Sequence, residues 1–179
     1  MSTRIHNRLL AATVTVVGMA ALLLPSAAPS ATGVAGAKRI TPSGVGHIQR
    51  GDTFRELREA GLIGRLVRGC ELAGPAARAA RLRSPLRGWV EFTHSVPRRV
   101  THITIRGGSA RARGVRIGSR ASKVRAEFPR ARFDHRTDEV FGVTLVRIPR
   151  RGGGRLQFAV DTDSRRVTLI GVPSIRFCE

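Results

Sequence analysis

Four arginines surround one predicted turn: Arg147, Arg150, Arg151 and Arg155. A guanidinium group binds phosphate or carboxylate through paired hydrogen bonds, and a cluster of such groups attracts polyanions over longer distances. The aromatic rings that would stack nucleic-acid bases are absent from this stretch, which argues against nucleic acid as the partner. The sequence therefore predicts that these arginines bind an anionic polymer or an acidic protein. Solvated loop charge without a ligand is the simpler alternative.

Residues that could catalyse a reaction are few. The sequence has no nucleophile elbow, phosphate-binding loop, zinc-binding helix motif or paired Cys/His spacing. A turn over residues 95–98 would place Glu91 opposite His102 on neighbouring strands. We expect them to form a surface ion pair, beside Trp89, rather than a catalytic dyad. Asp161 and Asp163 indicate an ordinary Asp-rich turn, because a calcium loop needs further oxygen ligands at regular spacing. From these observations together we predict no catalytic residue, metal site or cofactor.

The beginning of the chain has the pattern of a secretory signal peptide over residues 1–37. Arg4 and Arg8 precede an uncharged run of 16 residues, and an Ala-Gly-Ala triplet at 35–37 suits cleavage. The run is shorter than the roughly 20 residues of a bilayer-spanning helix, so we expect a secreted protein, with a retained anchor as the alternative. Cleavage would lower the net charge from +20 to +18. This charge suits an anionic partner, although arginine use imposed by a GC-rich genome explains it equally well.

The chain contains two cysteines, Cys70 and Cys178. In an exported protein an even number of cysteines favours a disulfide, and these two can pair in only one way within a monomer. Closing so long a loop would stabilise the fold by about 4 to 5 kcal/mol before any strain is deducted. An intermolecular disulfide and a reactive thiol are the alternatives.

The sequence repeats itself at an offset of 67 residues, or 66 in one block. Three blocks recur in the same order: 48–57 as 115–124, 88–92 as 154–158, and 99–105 as 166–172. Self-similarity at a fixed period indicates a duplicated structural unit. We predict a linker over 38–43, a first repeat over 44–108 and a second repeat over 109–179.

Each repeat has the pattern of a short helix followed by strands. Thr53 and Glu56 form a capping box that begins the first helix, and Ser119 is expected to cap the second. Hydrophobic and polar residues then alternate around Phe92 and around Phe158, as in antiparallel strands with one buried face. The predicted fold class is α+β, with two tandem repeats, each a short helix packed on an antiparallel β-meander. The two meanders could join into one continuous sheet.

The helix openings, Gly-Asp-Thr at 51–53 and Gly-Ser at 118–119, occur together with a Phe-Cys-Glu at 177–179. This combination resembles uncharacterised secreted proteins of high-GC Gram-positive bacteria. Their tandem repeat is similar to that of beta-lactamase inhibitory protein and of small outer-membrane assembly lipoproteins. The resemblance covers residues 44–179 and implies a concave sheet that grips a partner protein. Such interfaces favour Tyr and Trp, whereas this chain has no Tyr and only Trp89.

Charge, expected export and the missing catalytic motifs together favour a secreted, non-enzymatic binding module. Its expected partner is an extracellular protein or an anionic envelope polymer, and no transmembrane segment is expected after signal cleavage. The alternatives are a structural envelope protein and an enzyme of unrecognised type. Binding that weakens steeply with salt would favour the binding module, because contacts made through charge release counterions.

Overall fold

The computed structural model describes residues 38–149 and 155–177. Four features predicted from the sequence lie outside the described residues: the signal peptide at 1–37, Arg150, Arg151 and Cys178. The described residues form a large antiparallel sheet of eight strands with a few short helices. The predicted α+β fold class is therefore confirmed.

The described strands form two sheets. The strands are β1 (Gly44–Val45), β2 (Ile48–Gln49), β3 (Ile63–Arg68), β4 (Arg78–Leu82), β5 (Leu86–Phe92), β6 (Val100–Gly108), β7 (Arg132–Asp134), β8 (Val143–Ile148), β9 (Leu156–Asp161) and β10 (Val167–Val172). β1 pairs with β2, and the other eight lie in the order β3-β4-β5-β6-β10-β9-β8-β7. The edge strands of the large sheet are therefore β3 and β7, and β6 and β10 lie at its centre.

The three α-helices among the described residues are short, and hydrogen bonds just before the first two show how these two begin. They are α1 (Phe54–Glu59), α2 (Ala121–Glu127) and α3 (Asp138–Phe141). The predicted capping box begins α1: the Glu56 amide donates to Thr53 Oγ1, and the Thr53 amide donates to the Glu56 carboxylate. The expected capping of α2 by Ser119 is wrong. Arg120 occupies the N-cap, and the Ser119 hydroxyl instead accepts from the Arg116 amide, which closes the turn before the helix.

Helices α1 and α2 cover one face of the large sheet, which we call the helix face. Leu57 of α1 and Val124 of α2 belong to the same buried cluster as Phe92 and Phe158 of the sheet. Phe158 is 0% exposed, and its ring centre lies 5.5 Å from that of Phe128, which follows α2. Phe92 and Phe158 are both predicted to lie buried on the helix face, and both do.

The residues expected to form a linker, 38–43, pack against this domain in the structure. Ile40 is buried in the main core. Its amide donates to the Arg111 carbonyl oxygen at 2.7 Å. This segment therefore contributes to the packing of the domain.

The opposite side of the sheet, which we call the outer face, is crossed by the segment that follows β10. We call residues 173–177 the strap. The Ile175 amide donates to Gln157 Oε1 on β9 at 2.8 Å, and the Ile175 side chain packs in a cluster with Leu145 of β8. A side chain on Gly171 would come within 2.6 Å of Ile175. Glycine at this position therefore lets the strap lie directly on β10.

Candidate functional site

A row of residues crosses the outer face from strand to strand. From β4 to β7 the paired residues are, in order, Arg81, Trp89, Thr104, Gly171, Gln157, Arg147 and Arg132. Arginines lie at both ends of the row, and uncharged residues lie between them. The strap covers the row at Gly171 and Gln157, so the two cationic ends are separated by a covered middle.

The structure brings two of the predicted arginines to one end of this row. Arg147 on β8 lies directly opposite Arg132 on β7. Arg155 precedes Gln157 by two residues, so strand alternation places it on the same face. All three arginines are exposed, and we call Arg132, Arg147 and Arg155 the basic cluster. Sequence reasoning found Arg147 and Arg155 but missed Arg132.

One carboxylate lies beside the basic cluster. Asp134 Oδ2 is 2.8 Å from an Arg147 nitrogen and 2.7 Å from an Arg136 nitrogen. Hydrogen bonding by Arg136, assisted by the charge of Arg147, holds the pKa of Asp134 well below its usual range. Asp134 therefore stays ionised at neutral pH and positions Arg147. Neither Arg132 nor Arg155 has an ion-pair partner among residues 38–149 and 155–177, so positive charge remains in excess.

This geometry can bind anions. Like charges placed directly opposite on paired strands repel and destabilise the pairing. A phosphate or carboxylate between Arg132 and Arg147 would remove that repulsion and accept charge-assisted hydrogen bonds from both side chains. The Arg147 side chain is 53% exposed even while it contacts Asp134. The cluster therefore remains open to a ligand from solvent.

A second polar group lies near the middle of the outer face. The predicted pairing of Glu91 on β5 with His102 on β6 is confirmed, although the register shifts between Glu91 and Phe92, nearer the turn. The expected surface ion pair is wrong: Glu91 is 5% exposed, and burial lowers the pKa of His102 to about 4. The imidazole is therefore uncharged at neutral pH. Its Nδ1 lies 3.9 Å from Glu91 Oε2, which is too long for a hydrogen bond.

The strap supplies the positive charge that faces this buried carboxylate. Arg176 Nε lies 3.5 Å from Glu91 Oε2. Burial raises the pKa of Glu91, and the charge of Arg176 acts in the opposite direction. Glu91 Oε1 is buried without a hydrogen-bond partner among the described residues. The Arg176–Glu91 contact, which sequence reasoning missed, thus helps to hold the strap on the sheet.

Cys70 lies buried beside the strap. Its Sγ is 3.8 Å from the carbonyl oxygen of Phe177, the residue that precedes Cys178. Because Cys178 lies outside the described residues, the disulfide between the two stays a prediction. The position of Cys70, next to the chain that leads to Cys178, agrees with it.

The remaining sequence motifs have structural roles where the structure describes them. Asp161 accepts hydrogen bonds from the amide and the hydroxyl of Ser164, so the predicted Asp-rich turn before β10 is confirmed. Among the described residues, no three His, Cys, Asp or Glu side chains are grouped as metal ligands. No helix over 38–149 or 155–177 combines the length and hydrophobicity needed to cross a bilayer.

Comparison of the chain with protein-family models, with characterised proteins and with solved structures gave no match. The candidate site therefore rests on its own geometry. That geometry is an exposed basic cluster at one end of the outer face, separated by the strap from the other half of the sheet.

Proposed function

We propose that the chain is a secreted, non-enzymatic binding module that holds an anionic partner outside the membrane on its basic cluster. The observation that carries this proposal is that Arg132 of β7 lies directly opposite Arg147 of β8, with the exposed Arg155 immediately before β9. Within the part of the chain that the structure describes, only one of these arginines is paired with a carboxylate, Asp134. Secretion is part of the proposal and is supported by the leader-like sequence of residues 1–37.

An anionic envelope polymer suits this surface best. Its phosphates or carboxylates repeat along a chain, and Arg132 and Arg147 lie opposite each other on strands that are about 4.8 Å apart. An acidic protein surface offers the same chemical groups with less regular spacing. The net charge of +18 that would remain after cleavage at 37 would speed the encounter with either kind of partner.

We also propose that the chain consists of the two tandem repeats indicated by its sequence, joined in one continuous sheet. One contact recurs at the offset of 67 residues. Arg99 donates to the Gly51 carbonyl oxygen at 2.9 Å, and Arg166 donates to the Gly118 carbonyl oxygen at 2.8 Å. This correspondence supports duplication of one structural unit within the chain.

A charge-matched pair of variants tests the binding proposal. The test variant replaces all three arginines of the basic cluster with glutamine. The control variant replaces three exposed arginines in or next to the helices: Arg55, Arg58 and Arg120. Binding to purified wall teichoic acid is measured at several salt concentrations. The test variant should bind more weakly, and its log–log salt dependence should flatten by about 2 to 3 for three lost phosphate contacts.

The control variant should keep most of the affinity and the full salt dependence. Equal losses in both variants would mean that net charge alone attracts the polymer, and the proposed site would be wrong. Unchanged binding in both would mean that the basic cluster does not hold the polymer, and a wild type that does not bind teichoic acid would refute the anionic-partner proposal itself. Arg150→Gln with Arg151→Gln, added to the test variant, should weaken binding further if the predicted turn arginines belong to the same site.

A further inference from the structure

A groove lies along the edge strand β3, at the other end of the sheet from the basic cluster. It is lined by Leu66, Val67, Arg68, Pro75 and Arg78. Its volume is about 540 Å³. The free side of an edge strand carries backbone N–H and C=O groups that can pair with another extended chain. The groove therefore combines apolar side chains, two cations and a strand edge that pairs with no other strand among the described residues.

The two cations lie directly opposite each other. Arg68 of β3 pairs in register with Arg78 of β4. One terminal nitrogen of Arg78 donates to the carbonyl oxygens of Pro75 at 3.1 Å and Ala77 at 2.8 Å. These bonds hold its guanidinium group in place and leave other N–H groups for a ligand. Within the described residues neither arginine has an ion-pair partner, so the groove favours a ligand with a carboxylate or another anion.

The hydrophobic part of the groove separates a peptide from a simple polyanion. Its apolar lining consists of Leu66, Val67 and Pro75, and Val67 is 39% exposed. A polyphosphate or teichoic acid chain has little apolar surface to place against such residues. An extended peptide can use all three features, because strand addition provides main-chain hydrogen bonds and side-chain pockets together.

We propose that this groove binds an extended acidic peptide segment of a partner protein, which adds to the sheet as a strand along β3. Leu66 and Arg68 are two residues apart, so they share one face of the strand. The peptide should therefore carry an aliphatic and an acidic residue two positions apart. The carboxylate would lie between Arg68 and Arg78, and the aliphatic side chain would pack against Leu66. This site is separate from the basic cluster and adds a second contact surface to the module.

Three blocked, fluorescently labelled nonapeptides test both the chemistry and the spacing. The probe is Thr-Val-Thr-Glu-Thr-Val-Thr-Glu-Thr, in which valine and glutamate lie two positions apart in either chain direction. The charge control replaces glutamate with lysine. The spacing control, Thr-Thr-Val-Glu-Thr-Thr-Val-Glu-Thr, has the same composition, but every valine–glutamate separation is odd, which places the two side chains on opposite faces of a strand.

Binding to the purified full-length chain is followed by fluorescence anisotropy. The probe should bind the wild type about tenfold more tightly than either control peptide, because each control loses the carboxylate contact or its alignment with the hydrophobic one. Arg68→Gln with Arg78→Gln should weaken probe binding by about tenfold. The charge-matched control, Arg55→Gln with Arg58→Gln, should bind the probe as the wild type does.

Because Arg78 donates hydrogen bonds to the turn, its replacement could disturb the fold, so Arg68→Gln is also measured alone. This single variant should keep the thermal midpoint of the wild type and bind the probe more weakly. Equal loss in the groove and control variants would overturn the proposal, as would equal binding of the probe and the spacing control. Long-chain polyphosphate is tested as a competitor. If it displaces the probe, and if this displacement requires Arg68, the groove binds polyanions and the peptide proposal is refuted. The basic-cluster variant should bind the probe normally, whether or not it binds teichoic acid.

Discussion

Acidification should destabilise the fold through His102. Burial, together with the charges of Arg176 and Arg50, lowers the pKa of His102 from its usual 6.5 to about 4. In the unfolded chain the ring takes up a proton at its usual pKa, whereas in the folded protein it resists doing so. The stabilising effect of the neutral ring is therefore complete above about pH 7, declines as the pH falls below 6.5, and is gone near pH 4.

The size of the effect follows from these two pKa values. Between pH 7 and pH 5 a histidine with a folded-state pKa near 4 loses about 2 kcal/mol of stabilisation relative to an unperturbed one. The His102 side chain is 15% exposed and borders solvent, and screening there reduces the expected loss to about 1 kcal/mol. Carboxyl groups whose pKa is lowered in the folded protein, such as Asp134, reduce stability mainly at a lower pH than His102 does. The reason is that carboxyl groups in the unfolded chain take up protons only near pH 4.

Glu91 works in the opposite direction. Burial raises its pKa, against the charge of Arg176, so the folded protein takes up a proton at Glu91 more readily than the unfolded chain does. Falling pH through that raised pKa therefore adds stability relative to a glutamine. The variants must include Glu91→Gln with and without His102→Gln, so that the contribution of His102 is read with the carboxyl group removed.

Urea unfolding at pH 7 and pH 5, followed by the fluorescence of Trp89, measures the effect. Trp89 is the only tryptophan in the chain. Between pH 7 and pH 5 the free energy of unfolding of the wild type should fall by about 1 kcal/mol more than that of His102→Gln. The same difference should appear when both chains also carry Glu91→Gln. His94→Gln, which changes an exposed histidine near the same hairpin, should leave the pH dependence as in the wild type. Identical pH dependence in the wild type and His102→Gln would refute the reasoning.

Two further predictions concern packing and covalent structure. Phe158→Ala should lower the free energy of unfolding by about 3 to 5 kcal/mol, because the ring is fully buried. The control Val140→Ala, at a side chain that is 72% exposed, should change the free energy of unfolding by less than about 0.5 kcal/mol. A decrease of less than about 1 kcal/mol for Phe158→Ala would contradict the burial of its ring in the core. Intact-mass analysis of the exported protein should show a disulfide between Cys70 and Cys178 by the absence of two hydrogens, whereas two alkylatable thiols would disprove it.

The sequence predicted those elements in which a local pattern decides both structure and burial. Thr53 and Glu56 need only each other to begin α1. The alternation around Phe158 places large hydrophobic side chains on one face of β9. Glu91 was correctly placed opposite His102, although the register shifts between Glu91 and Phe92, so the length of the turn alone does not determine this pair. In each case the residues that matter are close in the sequence.

Strands β4 and β7 could not be predicted in this way, because their own residues bury little. β7 has three residues, of which only Phe133 packs against the core. It is held at the sheet edge by β8, which follows only after α3. In β4, Ala79 and Ala80 are buried but have small side chains that produce a weak hydrophobic pattern. Pairing with neighbours, rather than local propensity, determines both strands.

The same distinction applies to the candidate site. Arg147 and Arg155 flank one turn and were therefore predicted together. Arg132 joins them only through the pairing of β7 with β8. The contact of Arg176 with Glu91 depends on the path of the strap across the sheet, and an irregular segment of this kind has no periodicity from which its path could be read.

Gly171 also has a consequence for how this architecture changes over evolutionary time. Any side chain at this position would push Ile175 away, and without Ile175 the cluster with Leu145 and Ala159 would lose its cover. The glycine and the aliphatic residue four positions later depend on each other, since neither keeps its role without the other. In diverged chains we expect them to be retained together or lost together, so a Gly-x-x-x-Ile spacing that begins inside β10 should mark the strap even where the rest of the sequence has drifted.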